Sequence, residues 1–228
     1  MTTNDPENRN KAIKGESELS NIVASELDEE NHKLGDVVGA RTGMWFFLYT
    51  EIMLFGGLFV LYAAYYRMYT SDFTGAGKEL DIVMGTINTV ILLISSFAVA
   101  ASITAIQKNS KKIAIALLSF ALFLGFMFLV NKYFEWGHKI DLGIFPNSPK
   151  MEDSPYGRIL FFSLYYTITG LHGVHIIIGM TLLAVTIGFI VANKVNYQRY
   201  VLLENAGLYW HLVDLIWIFI FPLFYLIY

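Results

Sequence analysis

What most constrains this chain is a series of five apolar segments, each close to or above the roughly 20 residues a helix needs to cross a hydrocarbon core. They run over about Gly43–Tyr66, Ile82–Ile106, Ile113–Val130 with an amphipathic extension to Trp136, Ile159–Ala192 and Leu202–Tyr228. The first is interrupted by Glu51 and the last by His211 and Asp214, while the fourth carries only His172 and His175 as ionisable groups. At about 1.5 Å of rise per residue the fourth is longer than a bilayer is thick, so it should tilt or project. The expected fold class is all-α, an integral membrane bundle of five transmembrane helices.

Charge follows the same division. Only 15% of residues are charged and 55% are hydrophobic, with a mean hydropathy of +0.50, which a soluble domain rarely shows. The net charge of −3 arises largely near the N-terminus, and no basic stripe with interleaved aromatics points to nucleic acid. With no cysteine, disulfide, iron–sulfur and thiolate–metal chemistry are excluded. The chain divides into a polar stretch, 1–36, read as a disordered cytoplasmic tail, and a membrane domain, 37–228. Leu19, Ile22, Val23 and Leu27 have helical apolar spacing behind Ser17 and offer a surface helix as the other reading of that tail. Met1-Thr2-Thr3-Asn4-Asp5 does not read as a secretory leader.

Lys108, Lys111 and Lys112 crowd the turn after the second segment, Lys194 and Arg199 the turn after the fourth, and Lys33 and Arg41 precede the first. The positive-inside rule then places the N-terminus in the cytoplasm and the C-terminus outside. Ser154-Pro155 reads as the cap and first-turn proline opening the fourth span. An odd number of spans without an internal repeat argues against an inverted-repeat transporter.

Ionisable groups inside a bilayer cost about 2.5–3.5 kcal/mol each at mid-helix on insertion scales, so those retained point into the bundle. Glu51 is either a proton-exchanging carboxyl, protonated or paired, or a neutral acid that joins helices. His172 and His175 share one face with Gly179, and His211 and Asp214 share another with Gly207 and Trp217. Metal or haem ligation by the histidines would need three or four ligands and a supporting shell, so hydrogen-bonded packing histidines are the favoured reading. His211 with Asp214 reads as a structural polar pair before a proton relay. Asn88, Ser95 and Ser96 line part of the second span. Trp45, Trp136, Tyr209 and Trp210 read as interfacial anchors, and Gly56-Gly57, Gly170, Gly173 and Gly179 as sites of close helix contact.

Several stretches together resemble subunit III of the haem–copper oxidases, the cytochrome c oxidase subunit III family. They are Gly43-Met44-Trp45-Phe46-Phe47-Leu48-Tyr49-Thr50-Glu51 with Leu58-Phe59; Ile87-Asn88-Thr89-Val90-Ile91-Leu92-Leu93 with Ser95-Ser96; Phe134-Glu135-Trp136; Thr169-Gly170-Leu171-His172-Gly173-Val174-His175; and Glu204 with Tyr209-Trp210-His211-Leu212-Val213-Asp214 and Trp217. All five lie in the family's order, one per span, and cover about residues 40–228. Members with seven helices are common, and this chain resembles the last five, as in the five-helix bacterial type. Thr50 stands where serine is usual.

The resemblance implies a non-catalytic subunit of an enzyme complex, a proton-translocating cytochrome c or quinol oxidase, which stabilises the catalytic subunit and supports proton uptake during oxygen reduction. It implies no catalytic residue, metal or cofactor on this chain, with haem and copper in partner subunits and phospholipid bound alongside. Five histidines in all are too few to supply the six haem and copper ligands of the catalytic subunit. The implied proton-exchange or intramembrane polar set is Glu51, His172, His175, His211 and Asp214. The set implied to pack on lipid or neighbouring subunits is Trp45, Asn88, Glu135, Trp136, Glu204, Trp210 and Trp217. Oxidase subunit I and subunit II are the expected partners, with lipids and a larger respiratory supercomplex around them. A prokaryotic cytoplasmic (inner) membrane is the expected setting. The alternatives are a subunit-III-like accessory protein of a nitric oxide reductase and a free-standing proton-coupled transporter.

Overall fold

The computed structural model describes the backbone of residues 6–146, 148–195 and 200–226, and side chains from residue 35 onward within those ranges except at 150 and 152. The described residues form helices, with no strand among them: α1 (Pro6–Met68), α2 (Thr70–Gly77), α3 (Ile82–Gln107), α4 (Lys111–Asp141), α5 (Pro149–Glu152), α6 (Tyr156–Val191) and α7 (Val201–Tyr225). Five are long and apolar enough to cross a membrane: Gly35–Met68 of α1, and the whole of α3, α4, α6 and α7. The protein is therefore an all-α, multi-pass membrane protein of five spans. Two units are distinguished, Met1–Phe46 and Phe47–Tyr228. The side chains that would decide the reading of the N-terminal tail, including Leu19, Ile22, Val23 and Leu27, lie outside the described residues.

Local chemistry sets several helix ends. Asp81 caps α3, its carboxylate accepting from the amides of Val83 at 2.9 Å and Met84 at 3.2 Å, two donors that the first turn otherwise leaves unpaired. Asn109, Gly143 and Asn193, with φ of 55°, 74° and 58°, follow the ends of α3, α4 and α6. Glycine and asparagine are the residues that take this left-handed conformation most readily, and the turn lets the next amide reach back to orphan carbonyls. Ser110 N–H thus donates to Ala105 O, Ile144 N–H to Lys139 O and Lys194 N–H to Phe189 O. At the start of α6 the expectation is off by one residue. Pro155 itself occupies the cap position and the helix opens at Tyr156.

A boundary difference that bears on the core is at α4, which continues to Asp141 beyond the expected apolar limit. Lys132, Glu135 and Lys139 look like an exit from the membrane when read by hydropathy. They are instead buried on the inner face of α4, so the helix carries its polar groups into the bundle.

Within the second unit α3 packs along α4 and α7, α6 packs against α7 and α4, and α2 folds back on α6. The most apolar window of α7 is 56% buried, against 11% for that of α1. Helix α7 is thus the centre of the second unit, and the part of α1 from Phe47 onward lies at its margin. Part of α1 is secured by Tyr62, whose hydroxyl donates to the Leu223 carbonyl at 2.7 Å and whose ring meets Phe224 at 4.9 Å.

The position of α7 overturns part of the aromatic reading. Trp45 is exposed and Trp136 half-buried, but Tyr209 and Trp210 are buried and do not sit at an interface. Trp210 lies against Gly125 and Gly179, where an added Cβ would come within 2.8 and 2.9 Å of the indole, and its Nε1–H donates to Ser95 Oγ at 3.1 Å. Trp217 donates to Thr89 Oγ1 at 3.0 Å. Of the glycines expected at helix contacts, Gly170 meets Trp136 and Gly179 meets Trp210, while Gly56, Gly57 and Gly173 face open space.

Candidate functional site

Glu51, on α1, and His175, on α6, meet in the membrane-spanning region of the second unit. The Glu51 carboxyl lies 2.8 Å from His175 Nε2, and His175 Nδ1 lies 2.7 Å from the carbonyl of Leu171, one turn earlier on α6. A carbonyl oxygen only accepts, so Nδ1 carries a hydrogen and donates it. The bond on the other side then has two forms. Either an ionised Glu51 accepts from a protonated Nε2, or a protonated Glu51 donates to a bare Nε2. Both forms hold one shared proton and both leave the pair with zero net charge. That reconciles an acid and a base with an apolar surrounding, where an isolated charge would be costly.

The ring of His175 is fixed by its neighbours. Phe55 meets it edge-on at 5.2 Å, and Tyr209, stacked on Phe47 at 5.9 Å, donates its hydroxyl to the His175 carbonyl at 3.3 Å. The side chains of His175 and Glu51 retain 9% and 14% exposure. The pair therefore sits at the edge of the bundle, within reach of what surrounds the chain.

The other expected polar residues are placed differently. His172 shares the inner face of α6 and is wholly buried, but it stacks on Trp217 with ring centres 5.2 Å apart and makes no bond to Glu51. His211 approaches Ser96 on α3, Nδ1 to Oγ 2.6 Å. No hydrogen bond or ion pair joins His211 to Asp214 among the described residues; Asp214 is buried, and its Oδ1 meets no hydrogen-bonding group. His211 and Asp214 are not bonded directly; Ser96 on α3 lies between them, bonded to His211 and interacting with the Asp214 carboxyl. No group of three or more His, Asp or Glu side chains among the described residues is placed to hold a metal ion.

The residues expected to pack against lipid or other subunits divide by burial. Asn88, Glu135, Trp210 and Trp217 are interior residues, because α3, α4 and α7 turn their polar and bulky side chains towards one another. Trp45 remains exposed, and Trp136 and Glu204 are half-buried. Glu204 stands in the first turn of α7, where a negative charge suits the helix dipole.

A second polar centre was not anticipated from the sequence. Lys132 Nζ donates to Glu135 at 3.0 Å, to Tyr165 Oη at 3.1 Å and to Tyr225 Oη at 2.9 Å. Tyr165 and Tyr225 in turn donate to the other oxygen of Glu135, at 2.6 and 2.5 Å. Three ammonium hydrogens and both carboxylate oxygens are thereby used, and Trp217 offers its ring face 5.3 Å from the ammonium. The available signal was Lys132-x-x-Glu135 at one-turn spacing on an apolar helix, with a tyrosine on each of α6 and α7.

The match to known proteins covers nearly the same stretch as this architecture. The family model described as cytochrome c oxidase subunit III matches residues 20–228. The chain belongs to the cytochrome c oxidase subunit III family. A cytochrome c oxidase subunit 3 from Thermostichus vulcanus is 31% identical over 194 residues, covering 81% of this chain and 86% of the relative. A cytochrome bo(3) ubiquinol oxidase subunit 3 from Pseudomonas aeruginosa is 28% identical over 185 residues, 81% of this chain and 83% of the relative. A heme-copper oxidase subunit I+III from Aeropyrum pernix is 29% identical over 201 residues, which is 82% of this chain but only 22% of that longer protein.

Proposed function

We propose that this chain is the non-redox subunit III of a haem–copper respiratory oxidase, and that its Glu51–His175 pair helps to keep protons supplied to the complex during turnover. The observation that carries the proton role is the 2.8 Å contact between the Glu51 carboxyl and His175 Nε2 at the edge of the bundle, which a single proton can bridge. Shifting the shared proton reverses the polarity of one bond without breaking the packing around it, and net uptake or release then requires one proton exchanged with a neighbouring donor or acceptor. Its partial exposure gives it access to a neighbour. Haem and copper belong to the partner subunits, and phospholipid lines the exposed apolar faces.

The partner favoured is subunit I, since a relative carries I and III in one chain; subunit II and a larger respiratory assembly follow from that placement. The membrane is the prokaryotic cytoplasmic one, with the N-terminus cytoplasmic and the C-terminus outside, on the lysine-rich turns at 108–112 and at Lys194.

The partner is identified by mild-detergent purification through a tag on this chain, mass spectrometry and a visible spectrum. Recovery of a nitric oxide reductase, or of this chain alone, would refute the assignment. The proton role is tested in the assembled complex with Glu51→Gln, His175→Gln and the double variant. Each should assemble with normal haem content, start at near wild-type rate and inactivate sooner during turnover. Because one proton is shared, the double variant should inactivate no faster than either single. Wild-type turnover lifetimes in both single variants would reduce the pair to a helix contact.

A further inference from the structure

His172 is the most buried ionisable group in the bundle that neither polar centre uses. Its exposure is zero, and neither Nδ1 nor Nε2 meets a hydrogen-bonding group of the protein. It is flanked by rings, with Trp217 stacked at 5.2 Å and Phe128 edge-on at 5.8 Å. Those two rings also touch each other, 4.8 Å apart. Trp217 also bonds to Thr89, whose chain neighbour Asn88, wholly buried, accepts from Asn131 at 2.9 Å while its own Nδ2 meets no acceptor. Two wholly buried groups, His172 and Asn88, thus carry polar atoms that meet no hydrogen-bonding group of the protein.

Buried polar groups are almost always hydrogen-bonded, and leaving one unpaired is costly. The missing partner is constrained by chemistry. A neutral imidazole presents one N–H donor and one lone pair on nitrogens that point apart, so it needs an acceptor at one and a donor at the other, and water can serve as either. A metal cation satisfies only the lone pair, and an acyl chain satisfies neither. With zero exposure, a lipid headgroup cannot enter. We propose that His172 is a buried water-binding site, with water held at its ring nitrogens beside Trp217 and Phe128, one helical turn from His175 on the same face of α6. Ordered water in protein interiors is held by buried polar groups that the protein leaves unsatisfied.

The site can be read directly in the intact oxidase complex by brief X-ray radiolysis and peptide mass spectrometry. Hydroxyl radicals formed in bulk do not reach wholly buried rings, whereas a water activated in place hydroxylates the ring beside it. The comparison is between like residues. Phe128 is set against Phe161, which is equally buried but packed among Tyr62, Phe73 and Phe224. Trp217 is set against Trp210, which is buried to the same degree and likewise donates its indole N–H to a hydroxyl. Phe128 and Trp217 should be hydroxylated several-fold faster than their comparators. In His172→Phe, which keeps a ring but removes both nitrogens, the Phe128 rate should fall to that of Phe161.

Equal rates for Phe128 and Phe161 in the wild type would overturn the proposal, and that comparison needs no variant to fold. An undiminished Phe128 rate in an assembled His172→Phe complex would also overturn it, by showing that the water is held elsewhere. Glu51→Gln should leave the Phe128 rate unchanged. The hydration of His172 and the proton role of Glu51 can therefore fail independently.

Discussion

Replacing Lys132 with methionine removes the only cation of the Lys132–Glu135–Tyr165–Tyr225 cluster while keeping most of the side-chain volume. The side chains of Lys132 and Glu135 are 9% and 4% exposed, so the carboxylate left behind cannot be rehydrated where it stands. It would keep the two tyrosine hydroxyls as donors but lose its countercharge. Breaking a buried ion pair from one side costs about 3–5 kcal/mol, whereas replacing both partners with apolar groups of similar volume is often neutral. For a domain of this size, about 2–4 °C of melting temperature accompanies each kcal/mol, which puts Lys132→Met about 6–20 °C below wild type. The double variant Lys132→Met/Glu135→Leu should recover much of that loss, although two tyrosine hydroxyls, 3.2 Å apart, must then satisfy each other. The assay is thermal dissociation of this subunit from the detergent-purified complex, followed by fluorescence-detected size exclusion. If Lys132→Met alone were as stable as the wild type, or the double variant markedly worse than either single, a buried compensated charge pair would not be what holds α4 to α6 and α7.

Gly179→Ala should destabilise the bundle by about 1–3 kcal/mol through overpacking, because the new methyl group would lie 2.9 Å from an indole that its bond to Ser95 prevents from moving freely; Gly173→Ala, where space is open, should be neutral in the same thermal assay. Orientation can be read by cysteine labelling in a chain with no native cysteine: Gln107→Cys should resist an impermeant thiol reagent added outside intact cells and Asp153→Cys should react, both positions being exposed, and the opposite pattern would reverse the topology. Ser148 suits that purpose poorly, since it is buried and donates to the Gly143 carbonyl at 2.6 Å.

The spans were legible because a bilayer leaves few options: a run of twenty apolar residues has no better place, and Glu51, His172, His175 and Asp214 stand out against it. Which groups pair was not legible. His211 and Asp214 share a helical face, yet His211 bonds to Ser96 on another helix, a choice fixed by how α3 and α7 pack. Glu51 and His175 are 124 positions apart, and the sequence shows each as a polar residue in need of a partner without naming the partner. Lys132 was obscured for a different reason. Hydropathy treats a lysine near the end of an apolar run as the run's exit, although a lysine with a carboxylate one turn away can remain inside. Trp210 was misread because tryptophan is common at membrane interfaces, whereas the glycines that receive its ring, Gly125 and Gly179, lie on two other helices.

The two acid–base centres of this bundle differ in how readily a proton could move within them, which is why the proposed proton role falls on one and not the other. At Lys132–Glu135 every ammonium hydrogen and both carboxylate oxygens are engaged, and four side chains from three helices would have to rearrange before a proton could leave. Such a centre specifies how helices pack. At Glu51–His175 one bond joins the two groups and the second imidazole nitrogen is committed to a backbone carbonyl, so moving the shared proton changes the polarity of a single contact. The pair also joins the least enclosed span to the rest of the second unit, where the carboxyl can be approached from outside. If that contrast is the deciding one, Glu51→Gln should alter turnover lifetime with little change in melting temperature, and Lys132→Met the reverse. Loss of stability without loss of turnover lifetime in Glu51→Gln would exchange the two roles.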